Sequence, residues 1–104
     1  MNLLEKLIEF YKEDPKDPFN IYALATEYQK TNLQEALRLF LLLEQSFPDY
    51  AATYYHLAKL YEKLNDKENA INTYKKGIEI CTNLRAHHAL KELKNAYNEL
   101  LFED

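Results

Sequence analysis

The 104-residue chain has one glycine (Gly77), one serine (Ser46), one cysteine (Cys81), three prolines, and neither valine nor tryptophan. Each shortage removes a class of protein. Loops that cradle phosphates need several residues free to take positive φ or to let backbone approach a ligand closely, and one glycine cannot supply them. Sheets draw on valine and on glycine-bearing turns, so a β fold is disfavoured. A lone cysteine forms no internal disulfide, and the expected setting is a reducing, cytoplasmic one. Basic charge is short as well: 13 Lys+Arg against 17 Asp+Glu leave a net charge of −4. With no basic stripe to displace counterions from a phosphate backbone, nucleic acid is excluded as the expected partner. No run of about 18 uncharged apolar residues is available to span a bilayer. Glu5, Lys6 and Glu9 interrupt the first apolar segment, so it is not a secretion signal, and no membrane partner is expected.

What the chain has in quantity is leucine (18), tyrosine (9), isoleucine (5) and phenylalanine (5), arranged with helical periodicity. Leu3, Leu4, Leu7, Ile8 and Phe10/Tyr11 follow the i, i+3, i+4, i+7 spacing of an amphipathic helix. Asn2 with Glu5 opens it as a capping box, and Asp14-Pro15 ends it. Asp17-Pro18 reads as an N-cap and first turn for a second helix over about 18–30. Asn32 with Glu35 opens a third, which stops before Pro48. Asp49 is expected to cap a fourth over about 50–64, and Asp66 a fifth ending near Cys81. A sixth covers about 84–102. Connections this short make sequential helices antiparallel neighbours.

The helices repeat. Leu24 to Leu57, Ala25 to Ala58 and Tyr28 to Tyr61 are each 33 residues apart, and Ala36 to Ala70 and Phe40 to Tyr74 are each 34. The copies read Ile21-x2-Leu24-Ala25-x2-Tyr28…Ala36-x3-Phe40…Pro48 and Tyr54-x2-Leu57-Ala58-x2-Tyr61…Ala70-x3-Tyr74…Thr82. This pattern resembles the tetratricopeptide repeat (TPR) over residues 18–84, and the chain is similar to small stand-alone bacterial TPR domains. Alanines on facing helices allow close approach, large residues fill either side, and neither hairpin buries its apolar face alone. The resemblance implies an all-α, right-handed helical solenoid of about six antiparallel helices in a single domain, 1–104. Within it, residues 2–13 cap the N-terminal side, 18–50 and 51–84 form two repeats, and 85–102 cap the C-terminal side. Ile21 departs from the family's aromatic and Thr82 from its terminal proline, so the fifth helix has freedom to run on. Gly77 stands where the family commonly has alanine, at a helix-propensity cost of ~1 kcal/mol; tight contact with the last helix is expected there.

In TPR proteins the first helix of each repeat lines a concave groove that takes peptides or partner helices. The resemblance therefore assigns to partner binding Phe19, Tyr22, Thr26 and Gln29 in the first repeat, and Ala52, Tyr55, His56, Lys59, Glu62 and Lys63 in the second. Ala86, Ala89 and Leu93 are expected to close the far wall. Phe19, Tyr22 and Tyr55 would form an aromatic floor, although tyrosine and phenylalanine serve cores as readily as interfaces. The positions matching the family's carboxylate clamp are Tyr22, Thr26, His56, Ala86 and Leu90, whose side chains do not suit it. Lys59 and Lys63 are candidates to meet an acidic peptide, against the commoner reading of solvated lysines.

Enzymatic constellations are not visible. Cys81 reads as a small buried hydrophobe without a fixed acid–base partner. His88 and Glu92 stand four apart on one helix face, but two ligands do not close a metal site. Ser46 has no nucleophile elbow around it. The chain is expected to be non-catalytic and to use no cofactor or metal. An alternative function starts from Leu37 to Leu43, which is apolar nearly all round. Leu37, Phe40 and Leu43 serve the stack, leaving Leu39, Leu41 and Leu42 as a convex patch for a homo-oligomerising scaffold, a weak homodimer.

Overall fold

Capping side chains mark where most of the helices begin. In a computed structural model describing residues 1–103, six helices run α1 (Leu3–Glu13), α2 (Pro18–Tyr28), α3 (Leu33–Ser46), α4 (Ala52–Lys63), α5 (Lys67–Leu84) and α6 (His87–Leu101). No strand occurs among those residues. Side-chain oxygens of Asn2, Asp17, Asn32 and Asp66 accept from the N–H groups of Glu5, Phe19, Glu35 and Asn69 at 2.9, 2.9, 3.1 and 3.2 Å. Each such cap is worth about 1 kcal/mol. Asp49 does not act as expected. Helix α4 starts from Ala51 without a side-chain cap, two residues beyond Asp49.

The chain divides into two compact units, Met1–Tyr50 and a second beginning at Ala51. In the first, α2 packs against both α1 and α3. Ile21, Leu24 and Ala25 of α2 and Ala36, Leu39, Phe40 and Leu43 of α3 are all buried. The α3 stripe is i, i+3, i+4, i+7 counted from Ala36, which turns Leu39 inward; its exposure is 0%. The expected convex patch therefore loses its first member. Leu41 is 38% exposed and Leu42 half-buried. Helix α1 buries no residue fully, and Phe10 remains 52% exposed. The end of α1 is held by the Asn20 amide, which donates to the carbonyls of Phe10 and Asp14, each at 3.2 Å.

In the second unit α4, α5 and α6 all pack on one another. Tyr54, Ala58, Ala70, Tyr74, Cys81, Leu93, Ala96 and Leu100 share one core cluster. The repeat alanines 25, 36, 58 and 70 are each 0% exposed, as close helix approach requires. Gly77 is where α5 comes closest to its neighbours. A Cβ there would lie 2.5 Å from Tyr54 Cβ and 3.1 Å from Leu93 Cδ1, so α4 constrains this position even more than the last helix does. The buried Tyr74 ring lies 6.0 Å from that of Tyr97, and its hydroxyl donates to Glu62 Oε2. Burial, reinforced by that hydrogen bond, holds the Tyr74 phenol well above its ordinary range. Thr53 is also fully buried, and its hydroxyl meets no hydrogen-bond partner.

Without a proline at position 82, α5 runs to Leu84, three residues beyond Cys81. It ends with Arg85 in the left-handed region (φ 56) and the Ala86 N–H donating to the Cys81 carbonyl at 2.9 Å, a Schellman-type stop. Helix α6 consequently begins at His87, three residues beyond the expected 84.

Candidate functional site

The seam of α4 and α6 in the second unit holds two shallow hollows. One, of about 190 Å³, is lined by Tyr55 and Lys59 from α4 and by Glu92, Asn95, Ala96 and Glu99 from α6. The other, of about 220 Å³, lies at the end of that seam, where Asn65 of the α4–α5 turn, Lys67 of α5 and Glu103 join Glu62 and Leu100 in lining it. Helical spacing explains the lining: Tyr55, Lys59 and Glu62 recur along one face of α4, and Glu92, Asn95/Ala96 and Glu99 along one face of α6. The Tyr55 ring is half-buried and meets the His56 ring edge-on, with centroids 5.7 Å apart at 88°. Lys59 Nζ lies 3.8 Å from Glu62 Oε2, which also accepts from Tyr74, so Glu62 is positioned from two sides. On α6, His88 Nε2 is 3.7 Å from Glu92 Oε1. Burial lowers the His56 pKa, and the Glu92 carboxylate partly offsets that shift.

Of the residues expected at the site in the second repeat, the structure brings Tyr55 and Lys59 to the first hollow and Glu62 to the next. Ala52 and His56 are half-buried and Lys63 is exposed, and these three line neither hollow. Leu93 cannot form a far wall, because it is 0% exposed beneath Gly77. Glu92, Asn95, Ala96 and Glu99 take that place. They were missed because the later start of α6 moves its register by about one helical turn. The signal was in the sequence, as acidic residues at 92, 99 and 103, but Thr82 showed only that α5 could run on, not by how many residues, and that length sets where α6 starts.

In the first unit, Phe19 is 60% exposed at the start of α2. The Tyr22 ring packs at 5.6 Å and 47° against that of Tyr50. The Thr26 hydroxyl donates to the Tyr22 carbonyl at 2.8 Å, and Gln29 is half-buried at the helix end. A hollow of about 330 Å³ is lined by Pro18, Phe47, Pro48, Asp49 and Tyr50. Desolvation, with Tyr22 and Asp17 nearby, raises the Tyr50 pKa.

Cys81 is fully buried, and burial pushes its thiol pKa up, away from the reactive thiolate. Among the described residues, no group of three or more His, Cys, Asp or Glu is placed to hold a metal ion. No helix among them is long and apolar enough to cross a membrane.

Paired helices with buried alanines, repeated in sequence, define a helical-repeat protein. The tetratricopeptide repeat family profile matches residues 51–83. The crystal structure of a tetratricopeptide repeat domain protein from Salinibacter ruber is 44% identical in sequence, with a TM-score of 0.81, covering 85% of this chain and 99% of that one. A solution NMR structure of a tetratricopeptide repeat domain protein from the same organism is 46% identical, with a TM-score of 0.80, covering 84% and 89% respectively. This chain belongs to the tetratricopeptide repeat family, as an all-α, small TPR domain. The crystal structure of MamA shares the fold at 22% identity, with a TM-score of 0.70 over 94% of this chain and 64% of that chain. No match was found among curated proteins. TPR domains in general mediate protein–protein interaction and are non-catalytic.

Proposed function

We propose that this chain is a non-catalytic module that binds a peptide segment of a partner protein, with the α4–α6 seam of its second unit as a docking surface. One observation carries the reading: Tyr55 and Ala96 give a hollow of about 190 Å³ an apolar base, with Lys59, Glu92, Asn95 and Glu99 around it. An apolar base inside a polar rim suits a side-chain anchor flanked by orienting contacts. The seam lies on regular helices, so binding needs little ordering of the protein. In the first unit, Phe19 and the Tyr22–Tyr50 pair supply a further aromatic surface for contact. A lone thiol suits a reducing compartment, and the cytoplasm is the proposed setting. Self-association through α3 is not adopted, because Leu39, on which that surface depended, is buried.

Affinity capture from the source cell tests the reading with two variants. Tyr55→Ala removes the base of the hollow, and Asn95→Trp, at an exposed position, plugs it. Partners captured by the wild type are expected to be lost from both, with helical circular dichroism unchanged. A partner set identical in all three would show that the seam is not the docking surface.

A further inference from the structure

We infer that the α4–α6 seam selects a basic peptide, one carrying two Lys or Arg side chains three residues apart in an extended segment. The inference rests on the proposed docking role of the seam and adds the chemistry of its occupant.

The observation is a segregation of charge. Glu92, Glu99 and Glu103 all line the two seam hollows from α6 or just beyond its end, and Glu62 faces them from α4. The lysines of α6 are elsewhere: Lys91 and Lys94 line a separate hollow with His87 and Leu90. The cations that do reach the seam leave it acidic. Lys59 is paired with Glu62, and Lys67 stands alone in the second hollow. Glu99 and Glu103 make no ion pair among the described residues, and the partner of Glu92 is the largely exposed His88. The other reading, Lys59 and Lys63 meeting an acidic peptide, is therefore not adopted.

Spacing sets the motif. Glu92 and Glu99 are seven residues apart on α6, about 10 Å at a rise of about 1.5 Å per residue. A polyproline-type extended segment advances about 9 Å over three residues and returns its side chain to the same side. A Lys-x-x-Lys or Arg-x-x-Arg segment therefore places one cation opposite each carboxylate, with the peptide backbone between them passing over Tyr55 and Ala96.

Display selection of random peptides against the intact chain tests this, followed by fluorescence anisotropy of the enriched peptides. The expected result is enrichment of Lys/Arg pairs at a spacing of three. Binding should fall about tenfold in Glu92→Gln/Glu99→Gln and weaken as salt rises. Both positions are exposed, so that variant keeps the fold. Enrichment of acidic or uncharged peptides whose binding is lost in Tyr55→Ala would overturn the charge assignment and leave the seam as a docking surface. No enrichment, or binding indifferent to Tyr55→Ala and Asn95→Trp, would overturn both.

Discussion

The two repeats make the same hairpin from different parts, and their differences compensate in pairs. At the register position where α2 carries Ile21, α4 carries the larger Tyr54; where α3 carries Leu43, α5 carries Gly77. Bulk gained on the first helix is given up on the second. The connectors differ likewise. Repeat 1 connects its helices through the four residues 29–32, none at positive φ, whereas repeat 2 uses three, 64–66, and turns through Asn65 at φ 61. Pro48 follows closely on the end of α3 at Ser46, whereas Thr82 lies inside α5 and donates its hydroxyl to the Ile78 carbonyl at 2.7 Å. Repeat periodicity thus fixes which positions are buried, and a few idiosyncratic residues decide how closely helices approach and where the next one starts.

Moving residues of repeat 1 into repeat 2 breaks the comparison most sharply at Gly77. Gly77→Leu, copying Leu43, puts a branched chain where even a Cβ would sit 2.5 Å from Tyr54 Cβ. That contact involves an atom fixed to the α4 backbone, so the helices must part; a loss of about 3 kcal/mol or more is expected. Gly77→Ala gains ~1 kcal/mol of helix propensity against the same clash and should still cost about 1–2 kcal/mol. Urea unfolding followed by circular dichroism reads both. A Gly77→Ala protein more stable than wild type would mean that α4 and α5 have slack the structure does not show.

A smaller loss separates Tyr74 from its counterpart Phe40. Tyr74→Phe keeps the buried ring and removes only the hydroxyl that donates to Glu62. Glu62 is only partly buried and can turn to water, so the expected cost is about 1 kcal/mol, without a change in helix content. An unchanged unfolding midpoint would show that the Glu62 bond is energetically idle.

The same contrast explains what the sequence made legible. Helix number, four of the caps and the buried alanines follow from local rules, because capping and apolar periodicity act within a turn or two. Leu39 was misplaced because α3 is apolar on nearly every face, so periodicity alone did not pick the buried stripe; Ala36 set it. The α6 wall was misplaced for a longer-range reason. A single residue, Thr82, lengthens α5, and that shift propagates into the register of the following helix, so that Glu92 and Glu99 instead of Ala89 and Leu93 reach the seam.

The finest test of the comparison is His56, whose counterpart in repeat 1 is Ala23. Burial lowers the His56 pKa in the folded chain from its ordinary 6.5, and Glu92 opposes the shift. Above that ordinary value both folded and unfolded states hold a neutral ring, and the associated stability is complete. As pH falls through it, the unfolded chain takes up the proton first, and stability declines until the lower folded value is passed. Wild type should therefore lose stability between pH 7.5 and 5.5 more steeply than His56→Ala, as read by thermal unfolding across that window. Glu92→Gln removes the carboxylate that favours the imidazolium, so the folded pKa falls further and the decline should extend to lower pH than in wild type. Equal slopes in wild type and His56→Ala would mean that the ring is as well hydrated folded as unfolded, and that α4 carries no titrating group in this range.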